Sequence, residues 1–179
     1  IEGTSEELLF ARSSGKLSSY EFTQTMQDSL AILQFEMKDT SISNIHGDFS
    51  NKLNIALNSK PLWDIDLSMG AVKADLDFSS HRIENISLES GASQIRLKLP
   101  KPEASTKVNI EMGAASIEIQ IPKETGCKIS GDMVMTIKDI DGFTKQGDGN
   151  YVNKFYSKTG SNVNIEIDAG ISKFRITEY

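Results

Sequence analysis

The chain has 179 residues, 25% of them charged and 38% hydrophobic, the balance of one globular domain long enough to bury a core. A formal net charge of −6 and a pI near 5.0 argue against a nucleic-acid partner, which rewards a basic patch. No run approaches the roughly 20 apolar residues of a membrane-spanning helix, no leader-like stretch opens the chain, and the single Cys127 rules out an internal disulfide or a multi-cysteine metal site.

Position 1 is Ile rather than Met, which sets the expectation that an upstream segment has been removed. Glu6–Arg12 fits a short helix or a strand, and Ser13, Ser14, Gly15, Ser18 and Ser19 read as a flexible connection. In Leu30–Met37, Ala31, Leu33, Phe35 and Met37 share one face, the period-two signature of a strand. Asp39–Asn44 is polar punctuation, followed by the turn His46-Gly47-Asp48. Leu53, Ile55 and Leu57 alternate in a further strand that ends before Pro61.

From Ile65 the chain repeats itself. The copies are I-D-L-S-M-G-A-V-K-A-D-L-D-F-S, then I-S-L-E-S-G-A-S-Q-I-R-L-K-L-P from Ile86, then V-N-I-E-M-G-A-A-S-I-E-I-Q-I-P from Val108; I-E-I-D-A-G-I-S-K-F-R-I-T from Ile165 closes the series. Each is two alternating runs meeting at a corner glycine, and Gly70, Gly91, Gly113 and Gly170 stand 21, 22 and 57 residues apart. In the first three copies alanine follows the glycine (Gly70-Ala71, Gly91-Ala92, Gly113-Ala114), which suits a corner that needs unusual backbone angles or close approach of neighbouring chain. The long last interval holds an insertion with room for one degenerate copy. Within it Met133, Met135 and Ile137 alternate, and Asp141-Gly142 and Gly147-Asp148-Gly149-Asn150 mark the turns of a hairpin packed over one end.

A strand–corner–strand unit of 21–22 residues predicts an all-β, solenoid-like stack resembling a parallel β-helix, with an antiparallel β-sandwich as the alternative. Parallel stacking would place equivalent positions about 4.8 Å apart. The outward columns then read Asp75, Arg96, Glu118 and Asp77, Lys98, Gln120, signs that such a ladder favours. The column Ser68, Glu89, Glu111 is less favourable, since it sets two acids side by side. The expected organisation is a single β domain over 1–179: irregular N-terminal strands and cap over 1–52, regular repeats over 53–122, an insertion with a hairpin over 123–162, and a closing repeat over 163–179.

Candidates for chemistry are sparse. His46 and His81 lie in polar turns outside any metal-ligand spacing and read as solvent-exposed. Cys127 reads as a buried thiol. The pairs Asp64/Asp66 and Asp75/Asp77 could serve calcium or glycan hydrolysis, but a solvated face explains them better. No catalytic, cofactor or metal residues are assigned. Trp63, Tyr151 and Tyr156 are the candidate partner surface, with the core as the competing place for Trp63.

The motifs L-S-M-G-A, L-E-S-G-A and I-E-M-G-A, then G-F-T-K-Q-G-D-G-N-Y and the closing I-E-I-D-A-G-I-S-K-F-R-I, resemble the C-terminal domain of LiaF-like cell-wall-active-antibiotic response proteins, also called toastrack domains. The resemblance covers about Leu53–Tyr179. It implies a β-rich, solenoid-like domain without catalytic residues, joined to the membrane only through a segment absent from this sequence, in a bacterial cell-envelope protein of stress sensing. The implied partner is a protein such as a membrane sensor kinase, and exposed end strands leave room for a homodimer. The competing reading is a surface adhesin or glycan-binding module, with Trp63, Tyr151 and Tyr156 in one groove. A glycan-active enzyme would instead need two converging carboxylates.

Overall fold

The computed structural model describes residues 5–14, 19–38, 52–158 and 160–179, and every regular element among them is a strand. The expected turn at His46 lies outside the described residues. The chain divides into two compact units, Ile1–Phe10 with Ala56–Tyr179, and Ala11–Ile55.

Strand β1 (Leu9–Ser14) pairs with β4 (Lys52–Leu57) in a two-stranded sheet, so the helical option for Glu6–Arg12 is set aside. In the smaller unit, β2 (Ser19–Gln27) and β3 (Leu30–Lys38) form an antiparallel hairpin around Asp28, whose φ is 56°. The register sets Tyr20 opposite Met37 and Phe22 opposite Phe35, which makes one face of the hairpin apolar. Tyr20 and Phe35 stack with ring centroids 5.1 Å apart.

The larger unit holds the repeats. β5 (Leu62–Met69) and β6 (Val72–Asp77) form the first copy, and β7 (Arg82–Ser90) and β8 (Ser93–Lys98) the second. The third and fourth copies are unbroken strands, β9 (Thr106–Ile121) and β14 (Asn162–Glu178), so the glycine interrupts the strand only in the first two. The copies pair in parallel: β5 with β7, β6 with β8, and both β7 and β8 with β9. β9 in turn pairs along its length with β14.

The degenerate copy is β10 (Gly126–Ser130) and β11 (Met133–Asp139), and both pair in parallel with β14. The chain therefore lays down this rung one place out and later inserts β14 between it and β9, which explains the 57-residue interval. β12 (Phe143–Lys145) and β13 (Tyr151–Asn153) make the expected hairpin, which β13 joins to the sheet by pairing antiparallel with β10, leaving β12 outermost.

Alternation turns two rows of apolar side chains inward along each half of the copies. Ile86, Val108, Ile165 and Ile129 occupy one row, and Leu97, Ile119 and Ile176 another; all are at most 4% exposed. Sealing a Leu or Ile side chain from water is worth about 1.5–3 kcal/mol, so these rows hold the copies in register.

The corner glycines form a column. A Cβ on Gly91 would lie 3.6 Å from the Gly70 carbonyl oxygen, and one on Gly113 only 3.0 Å from that of Gly91. None of the four has a positive φ. Close approach, sharpest at Gly113, is what these corners require. Gly131, between β10 and β11, combines a positive φ of +111° with the Ile167 carbonyl oxygen standing where its Cβ would be.

Candidate functional site

The outward faces of the repeats carry the polar groups. On the β6 side the column runs Asp75, Arg96, Glu118, Arg175, Asp139, five strands of alternating sign. Arg96 lies 3.0 Å from Asp75 and 3.9 Å from Glu118, and Arg175 lies 2.8 Å from Asp139. In the next column Lys98 reaches Asp77 at 3.4 Å and sits 4.5 Å from the centre of the Tyr179 ring. Burial opposes ionisation of Asp77, but hydrogen bonds from Ser79 and the Lys98 ammonium outweigh it and hold the carboxyl below its usual range. The carboxylates of Asp75 and Asp77 are thus engaged in the ladder.

On the β5 side the column is Ser68, Glu89, Glu111, Asp168, and with Gly70, Gly91 and Gly113 it lines an open groove of about 660 Å³. Three acids side by side repel one another. The Ser68 hydroxyl relieves Glu89 at 3.1 Å, and the Asp132 backbone N–H relieves Asp168 at 3.0 Å. Among the described residues no three His, Cys, Asp or Glu side chains are arranged to hold a metal.

Trp63 sits at the start of β5, half-buried on the inward face, and its indole N–H donates to the Asn58 carbonyl at 2.8 Å. Tyr151 is on β13 beneath Lys145, and the Tyr156 hydroxyl reaches Asn164 at 3.5 Å. β13 and β5 are separated by β10, β14, β9 and β7, about 24 Å at the usual strand spacing. One groove does not contain all three aromatics.

His81 is a correction. It is 4% exposed, its Nε2 contacts the Leu57 carbonyl at 3.2 Å, and its ring meets Phe78 edge-on. The turn that carries it folds inward because Phe78, three residues earlier, ends the inward row of its copy. The matching place after Leu99 is Pro102, also buried, and that alignment of copies was the available signal. Cys127 is buried as expected, which pushes its thiol pKa far up and keeps it protonated.

Asn153 was not singled out by the sequence. Buried at 5% exposure, its Oδ1 accepts the backbone N–H groups of Cys127, Phe155 and Tyr156 at 3.0–3.2 Å. Its Nδ2 donates to the Thr125 carbonyl at 2.8 Å. It ties the hairpin to β10.

The family described as the N-terminal domain of toast_rack (DUF2154) matches residues 1–120, a span that includes the 52 residues before Leu53. A crystal structure from Clostridium sporogenes ATCC 15579, provisionally described as a cell adhesion protein, superposes with a TM-score of 0.90 at 24% identity. The alignment covers 99% of this chain and 85% of that one, and shows the shared fold. No curated protein matches.

Proposed function

Since the chain belongs to the toast-rack N-terminal domain family, we propose that it is a non-enzymatic protein-interaction domain of a bacterial cell-envelope protein. The observation that carries this reading is the in-register stack itself. Parallel copies, sealed inside by apolar rows, hold regular columns of charged side chains in place before any partner arrives. A pre-organised surface loses little conformational entropy on binding. The parallel pairing and glycine column support a solenoid-like description of the repeats. The LiaF-like motifs support a role in envelope-stress sensing, with a membrane sensor kinase as partner.

A second reading, an adhesive domain, is favoured by the description of the Clostridium sporogenes structure. Separation of Trp63 from Tyr151 directs it towards protein rather than glycan contact. In-cell crosslinking of the full-length protein, with captured partners identified by mass spectrometry, tests both. Recovery of a sensor kinase or another envelope-stress component supports the regulatory reading. Recovery of surface proteins alone supports adhesion, and recovery of wall polymer alone overturns protein interaction.

A further inference from the structure

We propose that β5 is a docking edge at which an extended segment of a protein partner, with Lys or Arg at every second position and apolar residues between, adds one more strand to the stack. This rests on the reading of the domain as a protein-interaction module and names the chemistry of its partner.

The first support is the backbone. Among the described residues β5 pairs only with β7. The Met69 carbonyl accepts the Gly91 N–H at 3.2 Å, so the backbone groups of Met69, Leu67 and Ile65 serve β7. Because successive residues of a strand present their backbone groups to opposite sides, those of Asp64, Asp66 and Ser68 point towards the open side.

The second support is packing. Ile65 and Leu67 are half-buried, whereas Ile86 and Leu88, their partners on β7, are 1% and 0% exposed. Among the described residues the apolar rows end at β5, and alternate apolar residues of an added strand would extend them.

The third support is charge. Asp64 and Asp66 project from this edge, and their neighbours on β7, Asn85 and Ser87, are neutral. Asn85 donates to Asp64 at 2.7 Å but brings no positive charge. The other half of the same copy shows the complement. There the acid–apolar–acid run Asp75-Leu76-Asp77 lies against the basic–apolar–basic run Arg96-Leu97-Lys98. A partner with that pattern would do for β5 what β8 does for β6. A second copy of this chain would not, since antiparallel self-pairing about Ile65 sets Asp64 opposite Asp66.

The test is titration of the ¹⁵N-labelled full chain with an eight-residue peptide alternating Lys and Val, followed by NMR and hydrogen exchange. Two control peptides carry Glu in place of Lys, or N-methyl groups on the amides that would face β5. The expected result is slowed exchange at the amides of Asp64, Asp66 and Ser68, with binding weakened at least tenfold by N-methylation and by Asp64→Asn with Asp66→Asn. Equal binding of the N-methylated peptide, or perturbation elsewhere than β5, overturns the proposal. So does concentration-dependent protection of β5 without peptide, the signature of a second copy. A crosslinked partner that maps away from β5 removes the edge and leaves the interaction role standing, whereas capture of no protein removes that role.

Discussion

A graded series of glycine-to-alanine substitutions probes the stack through the distance each new methyl group meets. At Gly70 a Cβ has nothing within 4 Å and the φ is compatible with alanine, so only the loss of unfolded-state freedom acts. Gly70→Ala should stabilise by about 0.4–1 kcal/mol. At Gly113 the methyl group comes to 3.0 Å from the Gly91 carbonyl oxygen, a backbone atom in the corner between β7 and β8, both of which pair with β9. Relief requires the β7–β9 spacing to widen, and overpacking of this kind costs about 1–3 kcal/mol. At Gly131 the approach to the Ile167 carbonyl is impossible without moving the chain, and a φ of +111° adds strain of about 1–3 kcal/mol. Since 1 kcal/mol shifts Tm by about 2–4 °C in a chain of this length, the order by calorimetry should be Gly70→Ala slightly above wild type. Gly113→Ala should lie about 2–12 °C below it, and Gly131→Ala lowest. Equal melting of Gly70→Ala and Gly113→Ala, or a Gly131→Ala protein as stable as wild type, would refute the reasoning.

Arg96→Glu places a third acid between Asp75 and Glu118; with the pair exposed to solvent, the loss in urea unfolding should be about 1 kcal/mol and should shrink at high salt. Asp77 has a folded pKa below its ordinary value of 3.8, so its stabilisation is present above that value and fades as pH falls through the lower folded pKa. Asp77→Asn should therefore flatten the acid limb of a stability–pH curve and leave its neutral and basic limbs parallel to wild type. Asn153→Ala strips the acceptor from three backbone N–H groups and should cost about 2–4 kcal/mol by thermal or urea unfolding, with hydrogen exchange accelerating first in β13.

The repeats were legible because strand alternation and corner spacing recur in the sequence itself. The pairings Asp75–Arg96–Glu118 and Asp77–Lys98–Gln120 follow from aligning the copies, and the structure contains both. The insertion of β14 between β9 and β10 was not legible, since alternation within each strand does not say which strands become neighbours. Ser18 and Ser19 read as a connection, yet Ser19 opens β2. The alternation of Tyr20, Phe22 and Met26 was the signal. Among the candidate site residues, Trp63 and Tyr151 could not be placed relative to each other without that strand order. Asn153 escaped because a buried amide hub depends on tertiary contacts far apart in sequence.

Paired cysteines test the rung order β9–β14–β10/β11 most directly. Glu118 and Arg175 are register partners on adjacent strands, about 4.8 Å apart and within disulfide reach. Glu118 and Asp139 are two strands apart, about 9.6 Å and beyond it. Mild oxidation should close the bridge in the Glu118→Cys/Arg175→Cys protein and leave Glu118→Cys/Asp139→Cys open, with buried Cys127 a bystander in both. Closure of the second pair and not the first would contradict the stack.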